Sequence, residues 1–365
     1  MILQLSRKHK RMSSTENTRF NPAGKGVLSF GELLLRICPD GTGDWLQTNQ
    51  LPVYVGGAEL NVASALALWD VPSAYLTAIP DNMLSKQLIG YIEARNINAE
   101  RISLQGKRMG IYYLTAGEDV KHAGVIYDRA HSAFAELQPG AINWARVFEG
   151  ISWFHFSAIC PALSESVVAV CSEALKYASE NGIFISLDLN YRAKLWQYGK
   201  QPIEVMPELA KYCDLIMGNV WAAELMLGTP LAADLKVRDT EEGYLAQAEA
   251  TSKAIISKFP KCKVVANTYR FDYMESGIKY YTTLYAAAQF YRSAVYTTPN
   301  YVDKVGSGDC FMAGLIYGHF QGHNDQELLD FATAAAFNKL FVPSDATRTK
   351  TAEIYASIKN HEDSY

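Results

Sequence analysis

Short apolar runs alternate with stretches of helical spacing along most of this chain, and no other feature constrains its fold as strongly. The apolar runs at 27–31, 75–79, 153–157, 183–188, 215–218 and 264–267 read as buried strands. The stretches at 58–69, 84–95, 164–181, 205–212, 222–227 and 241–259 read as helices. Strands that are apolar throughout, each followed by a helix, imply a parallel sheet covered on both faces. Segment 280–290 reads as a further extended, antiparallel stretch, and 307–321, 325–341 and 350–359 as closing helices. One region has a different texture. Residues 32–56 and 101–130 hold short β-prone runs separated by glycine-containing turns, and they read as a small β insert. With no repeat and no low-complexity linker, 27–365 is expected to be one main domain carrying a β lid. In an open α/β sheet ligands sit beyond the carboxyl ends of the strands. That prior brings Gly31, Asn190 and the 306–309 segment to one rim.

Composition excludes more than it assigns. The formal net charge of −4 gives no reason to expect nucleic acid or an anionic membrane as partner. No apolar run is long enough to span a bilayer. Cys38, Cys160, Cys171, Cys213, Cys262 and Cys310 lie far apart without a C-x-x-C pair, so neither a zinc nor a redox motif is suggested. Scattered thiols in apolar surroundings fit reduced cysteines in a cytoplasmic protein. Residues 1–26 are polar and basic and lack the apolar core of a secretory signal. They are expected to form a disordered arm, or to reflect a start placed too early, with Met12 as the alternative.

The densest candidate site is Asp303-Lys304-Val305-Gly306-Ser307-Gly308-Asp309, which runs into a helix. Two glycines permit a tight turn, and a helix start supplies unpaired N–H groups and a positive dipole end. A carboxylate beside such an anion hole makes sense if it takes a proton from a hydroxyl attacking a phosphoryl group. On these residues alone, a plain capped helix start remains the competing reading.

Taken together, several segments resemble the ribokinase-like (PfkB-type) sugar kinases from Val27 to the C-terminus. Gly306-Ser307-Gly308-Asp309 is similar to the family's Gly-Ala-Gly-Asp signature. Gly56-Gly57-Ala58-Glu59-Leu60-Asn61-Val62-Ala63 is similar to its N-terminal sugar motif. Three segments resemble those of 2-keto-3-deoxygluconate kinases: Gly31 to Arg36, Val125 to Ala133, and Asp188-Leu189-Asn190-Tyr191-Arg192. The resemblance implies a three-layer α/β/α sandwich with a mainly parallel central sheet and a small β-sheet lid. It implies ATP and Mg2+ as cofactors, and it leaves a monovalent cation as an option that the sequence does not decide.

It also implies roles. Asp309 would be the general base, and Gly306, Ser307 and Gly308 would form the anion hole, with Gly306 and Gly308 also facing the nucleotide. Gly57, Asn61, Tyr112, Tyr127, Arg129 and Arg192 would bind the substrate, the two arginines serving an acid sugar's carboxylate. A surface salt bridge is the rival reading for each arginine, and simple packing for Tyr112. Asn219, Thr268, Arg270 and Asn338 would face the nucleotide, although the helix around Asn338 also suits plain packing. No residue is assigned to the metal.

Two departures stand out. Asn219-Val220-Trp221-Ala222 keeps the asparagine of the family's Asn-x-x-Glu but has alanine at the acid position, and Glu224 lies about 200° further round a helix. Segment 266–273 lacks the glycine pair expected of a nucleotide loop. A smaller one is Pro343-Ser344-Asp345, where relatives tend to have glycine before the aspartate. The expected function is ATP-dependent phosphorylation of 2-keto-3-deoxygluconate at its terminal hydroxyl by a homodimer joined through the lid. A fructokinase, or a non-catalytic sugar-binding protein of the same fold, is the alternative.

Overall fold

Apolar residues at every second position of the strands feed two separate cores. Val27 and Trp153 pack on one side of the sheet, while Leu28, Phe30, Phe154 and Phe156 pack on the other. This is the period-two division of a strand buried on both faces. A computed structural model of the chain describes residues 25–39, 45–47, 49–115 and 124–362. The expected disordered arm lies outside these residues except for Lys25 and Gly26, and Gly26 already opens the first strand.

The central sheet has ten strands. Its spine runs from Val264–Tyr273 through Leu215–Gly218, Phe184–Asp188, Ile151–Ser157, Gly26–Phe30 and Ser73–Leu76 to Ile97–Asn98, and every neighbouring pair is parallel. An antiparallel extension follows Val264–Tyr273: Gly277–Ala286, with Gln289–Arg292 and Tyr296–Thr298 beside it. Helix Glu165–Glu180 shows why one outer layer forms. Ser164 caps it by accepting from the Val167 N–H, and Val167, Val170, Cys171, Ala174, Leu175 and Ala178 recur on one buried stripe. Helices Ala58–Leu68, Ser307–Gln321 and Asp325–Lys339 cover the opposite face. The result is a three-layer α/β/α sandwich with a mainly parallel central sheet.

A separate four-stranded sheet joins Val53–Gly56, Leu34–Ile37, Gly110–Tyr113 and Ile126–Asp128. Its cross-strand pairs put Leu34, Arg36, Tyr112 and Tyr127 on the face turned to the molecule. The run expected as one strand at 75–79 is broken at Thr77, whose hydroxyl accepts from the Leu33 N–H. Ser73–Leu76 stays in the main sheet, while Ala78–Ile79 pairs with Ser103–Leu104.

The larger correction concerns the strand read at 264–267, which continues to Tyr273 and pairs residue by residue back to Gly277. Among the described residues all six cysteines are free and buried, and no helix is long and apolar enough to cross a membrane.

Candidate active site

Helix Ser307–Gln321 begins where Gly306 takes φ 79°, a left-handed conformation that only glycine adopts without strain. Space enforces the same choice, since a Cβ at Gly306 would sit 1.8 Å from the Asp345 carbonyl oxygen. Gly308 is glycine for a different reason. A Cβ there would meet no protein atom within 4 Å, so the room it leaves belongs to the cavity. The first-turn N–H groups of Gly308 and Asp309 have no intrahelical acceptor and stand open to an anion. The Ser307 hydroxyl donates to the Ala336 carbonyl at 3.2 Å, which leaves this residue's backbone as its contribution.

Asp309 meets the helix that starts at Gly57. Gly57 has φ 135°, and a Cβ there would sit 2.6 Å from the Glu32 carbonyl oxygen. One turn on, Asn61 Nδ2 donates to Asp309 Oδ2 at 2.7 Å. Asn61 Oδ1 is buried and has no partner among the described residues, and the residue lines the cavity, so a substrate hydroxyl could donate to it. Glu59 anchors this helix. Its Oε1 accepts from the Ser157 N–H at 3.0 Å, and its carboxylate fills the space that a side chain at Gly31 would need. Burial raises the Asp309 carboxyl to about 7; Asp188 and Asp345 push the same way, against the Asn61 hydrogen bond and Arg192.

Around these groups lies one cavity of about 970 Å³, lined by Gly57, Asn61, Tyr112, Tyr127, Arg129, Arg192, Asn219, Thr268, Arg270 and the 306–309 turn. It opens at the carboxyl ends of Phe184–Asp188 and Leu215–Gly218, through Asp188, Met217 and Gly218. Its volume is at the upper end for a small-ligand site. The two arginines differ. Arg129 is buried and ion-paired with Glu32, its guanidinium 5.7 Å from the Tyr127 ring centroid. Its charge is therefore already balanced inside the protein. Arg192 donates to the Tyr191 carbonyl at 2.9 Å and stays half-buried on the cavity wall. Tyr112 lines the wall too, but its hydroxyl donates to Asp345 Oδ2 at 2.8 Å.

The residues expected to face a nucleotide stand on the long hairpin and at the start of a short helix. Thr268 and Arg270 stand on Val264–Tyr273, opposite Thr282 and Tyr280. Asn219 caps Val220–Leu227, its side chain accepting from the Ala222 N–H at 2.8 Å. Glu224 is exposed and lies off the cavity wall, as its angular position requires. Asn338 is a correction. It does not line the cavity, because its amide donates to the Ala334 carbonyl and to the Ser357 hydroxyl of helix Thr351–Glu362.

Sequence reasoning assigned no role to Asp188 or Trp221, both on the cavity wall, or to the buried cluster of Arg36, Asp303, Asp345 and Lys339 behind the turn. Lys339 had a legible signal: it falls on the stripe Ala332, Ala335, Ala336, at spacings that belong to the buried face. Among the described residues no three His, Cys, Asp or Glu side chains gather as a metal cage.

A family model for pfkB family carbohydrate kinases matches residues 25–266, which leaves the 306–309 turn outside the matched segment. The 2-dehydro-3-deoxygluconokinase of Thermotoga maritima superposes with a TM-score of 0.82 at 32% identity, over 92% of this chain and 99% of that one. A 2-dehydro-3-deoxygalactonokinase of Haloferax volcanii is 32% identical over 171 residues, spanning 47% of this chain and 53% of that relative. Fructokinase-2 of Zea mays is 26% identical over 83% of each chain.

Proposed function

The chain belongs to the pfkB family of carbohydrate kinases, and from that premise we propose that it transfers a phosphoryl group from ATP to the terminal hydroxyl of 2-keto-3-deoxygluconate or a close stereoisomer. The observation that carries this reading is Arg192, a half-buried cation on the wall of the same cavity as Asp309. A neutral sugar's hydroxyls accept only weaker hydrogen bonds from such a cation, whereas a sugar acid's carboxylate pairs with a guanidinium in a planar, bidentate fashion. Arg129 gives less support, because Glu32 already neutralises it. The kinases named for gluconate- and galactonate-type acids among the similar proteins point the same way. The fructokinase likeness keeps a neutral ketohexose as the second reading.

In this reading Asp309 accepts the hydroxyl proton as the oxygen attacks the terminal phosphorus of ATP. Asn61 holds Asp309 in place and accepts from a sugar hydroxyl. The N–H groups at the start of Ser307–Gln321 take up charge on the transferred phosphoryl group. Gly57 brings the backbone close to the sugar, and Tyr127 closes the lid side. Thr268, Arg270 and Asn219 face the nucleotide. A wall with isolated carboxylates and no cage suits Mg2+, which keeps most of its waters and binds through phosphates with one or two acids. Asp188, on the same wall, is one such acid, and its charge raises the Asp309 carboxyl. The ion would neutralise phosphate charge.

The small sheet is the lid of this site, and the kinase domain comprises 27–365. Ile37, Val53, Tyr113 and Ile126 lie on its outer face, partly or wholly exposed, and this supports a homodimer formed lid to lid. The decisive experiment is ADP release from ATP on adding 2-keto-3-deoxygluconate. Turnover that falls about 10²-fold or more in Asp309→Asn, with sugar binding retained, is the expected result. Sugar binding without turnover in the wild type would contradict the reading.

A further inference from the structure

Behind the anion turn four charged side chains are nearly shut off from water, with Asp345 reaching the cavity wall. Arg36, Asp303, Asp345 and Lys339 are exposed by 0%, 3%, 1% and 0%. Arg36 bridges the two acids, with Nη2 2.6 Å from Asp303 Oδ2 and Nε 2.9 Å from Asp345 Oδ1. One arginine and two carboxylates leave a negative charge over, and the Lys339 ammonium balances it. Burial works against that charge and the two aspartates hold it in place. Lys339 Nζ donates to the Val342 carbonyl at 3.2 Å and to the Asp303 carbonyl at 3.5 Å.

Those contacts govern the turn. The Leu340 carbonyl accepts from both the Val302 and Asp303 N–H groups, at 2.8 and 3.0 Å. Asp303 Oδ1 accepts from the Val305 N–H at 2.9 Å. The chain entering Gly306 is thus pinned to the end of helix Asp325–Lys339 through the Asp303 N–H and carbonyl, while the Asp303 carboxylate is held by the Val305 N–H and Arg36. A Cβ at Gly306 would approach Lys339 Cε to 3.4 Å, so the lysine stem lies directly under the turn.

We propose that Lys339 is a built-in monovalent cation, a positioning residue whose ammonium occupies the carbonyl cage behind the 306–309 turn, so that the protein needs no potassium or ammonium ion from solution. A soluble cation would need the same carbonyl oxygens and an uncompensated negative charge, and the cluster offers neither. Without Lys339 the cluster would carry a net negative charge just behind an anion hole and oppose the phosphoryl group by Coulomb repulsion.

The inference rests on the kinase reading for its effect on rate but not for its effect on stability, and two readouts keep these apart. Wild-type protein is compared in tetramethylammonium, potassium and ammonium chloride at equal ionic strength. Melting temperature and turnover are both expected to be indifferent to the cation. In Lys339→Ala turnover should fall about tenfold or more through a misplaced turn. Ammonium or potassium, but not tetramethylammonium, should raise the variant's melting temperature by occupying the vacated cage, and restore part of the rate. Activation of the wild type severalfold by potassium or ammonium overturns the proposal, as does a Lys339→Ala protein with wild-type rate and no cation-dependent stabilisation. If that variant folds only with potassium or ammonium present, the proposal is supported. If it folds in no salt, the wild-type comparison decides alone.

Discussion

At Asp309 the demands of chemistry and of stability pull apart. A base that works near neutral pH needs a proton affinity near 7, and burial gives Asp309 that value. The same shift costs stability. Between the ordinary carboxyl value of 3.8 and about 7 the folded chain keeps a proton that the unfolded chain has released. The stabilisation from this group is therefore full below 3.8 and is lost as pH rises through about 7. Asp309→Asn removes the loss, so at about pH 8 the variant should melt no lower than the wild type while its rate collapses. In the wild type kcat/KM for the sugar should climb through about pH 7. A flat profile between about pH 6 and 8 would remove Asp309 as the titrating base. Asp309, Asn61 and Gly57 were legible because a short motif carries each of them. The neutralisation of Arg129 was not, because Glu32 lies 97 residues away and only the fold brings the two together.

Among the elements, the start of helix Ser307–Gln321 makes the clearest separate prediction. Alanine is favoured over glycine inside a helix by about 1 kcal/mol, and at Gly308 a Cβ touches nothing in the protein. Gly308→Ala should therefore keep or raise the melting temperature. It should also lower kcat/KM for ATP by about tenfold or more, because the methyl group takes the space a phosphate needs. Wild-type kinetics in a stable Gly308→Ala protein would show that no ligand approaches that backbone. The order of strands and helices was readable from apolar period alone. The hairpin through Tyr273 was not taken for a strand, although aromatic and β-branched residues at 268–273 and the glycine at 277 carry that signal. Two-residue strands such as Ala78–Ile79 and Ile97–Asn98 hold too few residues to show any period, and only their neighbours in the sheets define them.

For the whole molecule, the main sheet fixes where the strands end, and the small sheet supplies the wall that carries Tyr112, Tyr127 and Arg129. The apolar outer face of that sheet predicts a dimer by light scattering at micromolar concentration, and a monomer would count against lid-to-lid association. The fold and the turn at 306–309 were therefore open to sequence reading, whereas the different surroundings of the two arginines depended on the assembled cavity. The claim that this cavity recognises an acid sugar rests on Arg192. It is tested most directly by the ratio of kcat/KM for 2-keto-3-deoxygluconate to that for fructose, in the wild type and in Arg192→Ala. A charge-assisted hydrogen bond is worth about 1.5–3 kcal/mol, so the substitution should lower a strong wild-type preference for the acid by about 10- to 100-fold. A wild type that uses both sugars equally, or a preference that survives Arg192→Ala, would contradict the account.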